Sequence, residues 1–105
     1  MSQFRNVRID EKPGVRHACP CCGYLTLLSR GWHEVCPVCG WDDDGQDDHD
    51  ASELRGAPNK VSLADARKNF LEFGASERRR MQRVRPPRDD ERPPPDVRVN
   101  RPGAV

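Results

Sequence analysis

Cys19-Pro20-Cys21-Cys22-Gly23 and Cys36-Pro37-Val38-Cys39-Gly40 are two copies of one phrase, Cys-Pro-x-Cys-Gly, and together they hold all five cysteines of the chain. Two residues between cysteines is the spacing at which a tight turn aims both sulfurs, with nearby backbone N–H groups, at one ion. Proline presets φ for the turn, and glycine supplies the open backbone on leaving it. Two such pairs, Cys19 with Cys22 and Cys36 with Cys39, make four thiolates, a closed tetrahedral set suited to structural zinc.

Working outward, thirteen residues lie between Cys22 and Cys36. This is slightly under the usual interval for such a site but enough for a hairpin. Tyr24-Leu25-Thr26-Leu27-Leu28 is rich in strand formers, Ser29-Arg30-Gly31 signals a turn, and Trp32-His33-Glu34-Val35 alternates back toward the second knuckle. The expected architecture is a small α+β metal-stapled domain: zinc-ribbon or rubredoxin-like knuckles around a β-hairpin, then one or two helices and a disordered tail.

Other uses of the cysteines fit less well. Disulfides call for an oxidising compartment and a secretory signal, and Met1–Arg8 has no apolar core of the needed length. Five is also an odd number. A redox Cys-x-x-Cys is expected once, near a βαβ pattern, rather than twice around a hairpin. Iron is the serious rival, since four thiolates also make a rubredoxin-type site. Zinc is preferred because nothing else in the chain suggests electron transfer.

Of the 105 residues, 34% are hydrophobic and 33% charged, which leaves little for a core. Folding must lean on a staple, and structural zinc contributes on the order of 10–16 kcal/mol near neutral pH. The apo ribbon is therefore expected to be largely unfolded. No apolar run is long enough to cross a bilayer, so a soluble, cytoplasmic protein is expected. The net charge of +1 hides an asymmetry. Residues 1–18 hold four basic and two acidic groups, residues 19–60 three and eight, and residues 61–105 eleven and seven. Four thiolates on one zinc add about −2 to the middle part, which argues against the ribbon itself gripping nucleic acid.

Residues 1–16 lack periodicity and read as a flexible arm, though Val7 and Ile9 suit an edge strand beside the hairpin. His17 is a weak fifth ligand candidate. Cys21 sits at the outward position of its knuckle and is expected to be a spare, partly exposed thiol, with redox sensing as its functional alternative. The run Asp42–Asp50 invites a second cation. Aligning Gly45 with the glycine of a calcium loop puts Asp42 and Asp44 in ligand places, but Gly40 and Ala51 then stand where the first and last acids belong. A solvated acidic loop is expected instead, with recognition of a protein partner as its functional alternative and His49 at most completing an adventitious metal site.

Ser62 followed by Asp65 reads as a helix start, Leu63, Ala66, Phe70 and Phe73 form one apolar face, and Gly74 is the stop. A second short helix is expected from Ser76-Glu77 toward Val84, with Met81 and Val84 facing in. It carries Arg78, Arg79, Arg80 and Arg83, the candidate contacts for nucleic acid or an acidic partner. Residues 86–105 hold six of the ten prolines and are expected to be a disordered tail.

These residues carry a resemblance. Cys19–Tyr24, Cys36–Cys39, Trp41 with its acids, Pro58-Asn59 and the run Ser62–Phe70 resemble the bacterial cysteine-rich CPCC family over roughly residues 17–90. The resemblance implies a small bacterial metal-binding domain over residues 17–85 and no established activity. The readings that compete are a zinc-stapled interaction module without catalysis, a rubredoxin-like iron carrier, and a thiol sensor built on Cys21. The first is preferred. All four paired cysteines are spent in closing a shell, whereas catalytic zinc keeps a position open, and no other catalytic set appears. A protein partner is expected, and no membrane.

Overall fold

The computed structural model describes residues 6–93. Each Cys-Pro-x-Cys-Gly phrase folds back on itself in the same way. In the first, Cys19 N donates to Tyr24 O (2.8 Å) and Gly23 N to Cys19 O (2.8 Å). In the second, Cys36 N donates to Trp41 O (2.9 Å) and Gly40 N to Cys36 O (2.8 Å). Gly23 and Gly40 sit at φ 85° and 83°, in the left-handed region that side chains with a Cβ seldom enter.

A turn that reverses the chain brings its own flanks together, and this decides the strand pairing. Strand β1 (His17–Ala18) runs antiparallel to β2 (Leu25–Leu27), with His17 opposite Leu27 and Ala18 opposite Leu25. Around the second knuckle, Val35 and Asp42 form the matching antiparallel bridge. The expected hairpin, with 24–28 against 32–35, is therefore corrected: each short ladder spans a knuckle instead of lying between the two. The offset in the β1–β2 register is a local irregularity at Thr26, the kind of step that re-aims a side chain.

The stretch between the knuckles finds other partners. The Glu34 carboxylate accepts from Leu28 N (2.9 Å) and Ser29 N (3.2 Å). Arg30 exchanges both backbone hydrogen bonds with Ile9, at 2.9 and 3.0 Å. The described part of the N-terminal arm is thus docked, and Ile9 makes the edge contact its sequence suited. Gly31 is required where the arm crosses: a Cβ there would lie 2.1 Å from Val7 O.

Helix α1 (Leu63–Phe73) begins and ends where its signals stand. Ser62 Oγ accepts from Asp65 N (3.1 Å), and Gly74, at φ 83°, donates to Phe70 O. Leu63, Ala66 and Phe70 are buried, while Phe73 is half-buried beneath the Arg78 guanidinium. That apolar face packs with Trp41, Val38, Leu27 and Tyr24 into the same cluster as all five cysteines, so the core and the candidate site are one body.

Two expectations are corrected further along. The second short helix is present at Arg78–Arg83, but as a 3-10 helix, and Met81 is exposed rather than facing in. Its entry is tied down elsewhere: Ser76 N donates to Cys39 O (2.7 Å) and Lys60 N to Glu77 Oε2 (3.1 Å). Residues 86–93, expected to open the tail, pack back onto the domain through a 3-10 turn, Asp89–Glu91, whose Glu91 is buried. The rest of the expected tail lies outside the described residues. No helix among the described residues is long and apolar enough to cross a membrane.

Candidate metal centre

The two knuckles face each other. Cys19 Sγ lies 3.6 Å from Cys39 Sγ, and Cys22 Sγ lies 3.7 Å from Cys36 Sγ. All four sulfurs fall within 4.8 Å of one another. Four sulfurs at ~2.3 Å from a tetrahedral ion stand ~3.8 Å apart, so the two close pairs match such an ion and the whole set is compact enough to take one. The pairing across knuckles follows from the shared turn: two like loops, each offering its first and last cysteine, meet tip to tip.

Electrostatics make the same case. Burial pushes the Cys19, Cys22 and Cys39 thiols well above their ordinary value. Burial also raises Cys36, but hydrogen bonds from Cys19, Cys22, Cys39 and Thr26 outweigh it and leave Cys36 well below. A dry nest that tolerates one negative sulfur holds four only with a cation among them. Thr26 Oγ1 stands 3.0 Å from Cys36 Sγ and Trp41 N 3.5 Å from Cys39 Sγ, each placed to donate to a thiolate. Thr26 carries no signal in the sequence, since only the strand irregularity turns its hydroxyl inward.

The remaining candidates are sorted by the fold. Among the described residues no other set of three ligand-type groups comes together, so His17 and His49 stand outside the nest. Cys21 is fully buried, which corrects the expected exposed thiol; its sulfur faces Cys39 and adds to the raising of that thiol. The acidic run is no solvated loop. Asp43 is fully buried and accepts from Arg30 Nε (3.0 Å) and Gly31 N (2.8 Å). Asp47 takes the other arm of Arg30 (2.9 Å), and Asp50 takes Arg55 (2.7 Å). Gln46 Nε2 closes the loop on Asp50 O and Glu53 O. Burial pushes the Asp44 carboxyl above its usual range. These carboxylates organise the scaffold beneath the second knuckle.

The arginine row is divided in the same manner. Arg80 is structural: its guanidinium donates to Gly40 O, Asn59 Oδ1 (2.8 Å) and Pro58 O (3.0 Å). Arg79 holds Glu77 (2.7 Å) and Pro58 O (3.0 Å). Arg78 covers Phe73. Arg83 alone of the four lies exposed with no partner among the described residues. On the first knuckle, Arg67 Nε donates to Pro20 O (2.8 Å), a brace that sequence reading did not identify.

No curated protein and no solved structure matches this chain. A family match covers residues 17–91, from β1 to the buried Glu91, and so takes in both knuckles, helix α1 and the segment that packs back on them. With its paired four-cysteine nest and the helix that closes over it, the chain belongs to the cysteine-rich CPCC family.

Proposed function

We propose that this is a small zinc-binding protein of the bacterial cytoplasm that works as a non-catalytic interaction module, with a zinc-ribbon-like core held by Cys19, Cys22, Cys36 and Cys39. The observation that carries the reading is the nest itself: four sulfurs at tetrahedral spacing, none more than 1% exposed. When bound, the ion supplies charge compensation and a cross-link; the rest is done by the chain. The two knuckles bring the sulfurs together, Thr26 and Trp41 N orient them, and helix α1 excludes water.

A site with four protein ligands leaves no position for water or substrate, which supports a structural ion over a catalytic one. The fully buried Cys21 lacks the exposure of a sensing thiol.

Elemental analysis of purified protein tests the reading. The expected result is one zinc per chain and a colourless solution. Stoichiometric iron with a red, redox-active band would overturn the zinc assignment. A chelated sample that keeps its near-ultraviolet circular dichroism would overturn the staple.

A further inference from the structure

We propose that the cleft between the second knuckle and the arginine segment is a docking site for an acidic peptide of a protein partner, with Arg83 as its anchor. The proposal rests on the reading of the chain as an interaction module and names what that module takes. The cleft encloses about 430 Å³ and is lined by Val35, Asp42, Arg79, Arg80 and Arg83.

Its walls differ in chemistry. In a 3-10 segment residues three apart eclipse, so Arg80 and Arg83 rise from one edge of it. Arg80 is immobilised by the Gly40, Asn59 and Pro58 oxygens, and Arg79 keeps 49% of its side chain exposed while holding Glu77. Arg83 is exposed and unpaired among the described residues, and a free guanidinium fork matches a carboxylate in two parallel bonds. The floor is apolar: Val35 is 55% exposed. Across from the arginines, Asp42 is an acceptor, its Oδ1 3.0 Å from His33 Nδ1.

A carboxylate beside an apolar side chain, on a backbone with an N–H to give, meets all three features. A polyphosphate chain meets only the first. Asp42 sits inside the cleft, where it suits a backbone N–H and opposes a phosphate, and no aromatic ring lines the cleft for a base to stack on. Charge and shape together favour the peptide.

The test uses zinc-loaded full chain and a fluorescein-labelled hexapeptide of alternating glutamate and leucine, read by fluorescence anisotropy. Saturable binding is expected, weakened about tenfold or more by Arg83→Glu and little changed by Lys68→Glu, an equal charge change on the exposed side of α1. Equal loss in both variants would show unspecific attraction and overturn the proposal. So would tighter binding of an oligothymidylate, which would assign the arginines to nucleic acid. Zinc content is measured on the same samples. A fully loaded sample that ignores the peptide overturns this inference alone, whereas a metal-free sample that stays folded overturns the reading beneath it.

Discussion

The two knuckles share a sequence phrase, a hydrogen-bond pattern and a glycine conformation, yet they are braced by different parts of the molecule. The first is held mainly by nearby chain: the β1–β2 ladder closes it, and among the described residues a single long-range donor, Arg67 on α1, caps Pro20 O. The second is closed by one bridge, and three of its carbonyls face chain that comes forty or so residues later. Pro37 O takes Arg85 N, Cys39 O takes Ser76 N, and Gly40 O takes the Arg80 guanidinium. The lesson is that five residues suffice to specify a turn that presents two sulfurs, while its anchoring is delegated. The second knuckle, with the thinner ladder, recruits the later segment, and that segment exists as structure because the knuckle offers it acceptors.

The largest effect tests what the knuckles have in common. If the nest holds the proposed zinc, removing it, or replacing either Cys22 or Cys36 by serine, should unfold both halves together, since structural zinc contributes about 10–16 kcal/mol of binding energy as folding energy. Loss of near-ultraviolet signal from buried Trp41, in step with metal release, is the measurement. A variant lacking one knuckle's ligand that keeps Trp41 in place would break the symmetry claimed.

Next comes the asymmetry. Arg80→Ala strips donors from Gly40 O, Asn59 and Pro58 O, and should cost about 2–4 kcal/mol in denaturant unfolding of the holo protein. Arg67→Ala removes one carbonyl contact and an ion pair to exposed Asp48, so about 1 kcal/mol is expected. Equal costs would mean that the second knuckle does not depend on its distant brace. Cys21→Ser falls between them: metal content should stay at one per chain, with about 1–3 kcal/mol lost from burying a hydroxyl where a thiol packs.

The smallest effect is one of pH. Arg85 and the Arg88 backbone hold the Glu91 carboxyl down to about 2, from an ordinary 4.5. A carboxyl depressed in the folded state stabilises it above the unfolded value and loses that contribution as pH falls through the folded one. The stability gap between wild type and Glu91→Gln should therefore be full above pH 4.5 and close between 4.5 and about 2. A gap independent of pH would mean that Glu91 acts by packing, without its charge.

Several features were legible because they are local. Cysteine spacing with proline and glycine in place specified the ligand turns, and a serine cap, a 3.6-residue apolar period and a terminal glycine specified α1 from end to end. Other readings failed wherever the partner lay far along the chain. The segment 24–35 alternates like a hairpin, yet each knuckle already closes its own flanks. Cys21 stands at an outward position of its turn, and only the core cluster that the later chain completes makes it buried.

Charge misled for the same reason. Asp43, Asp44, Asp47 and Asp50 read as a solvated loop because sequence does not show that Arg30 and Arg55 reach into it. Arg78, Arg79, Arg80 and Arg83 read as one basic surface, and of the four only Arg83 is left without a partner among the described residues. By itself, then, the sequence determined where the sulfurs converge, because a turn's geometry depends on the few residues within it. Only the tertiary structure decided which charges remain available to a partner, because an ion pair depends on what the rest of the chain brings within 3 or 4 Å of it.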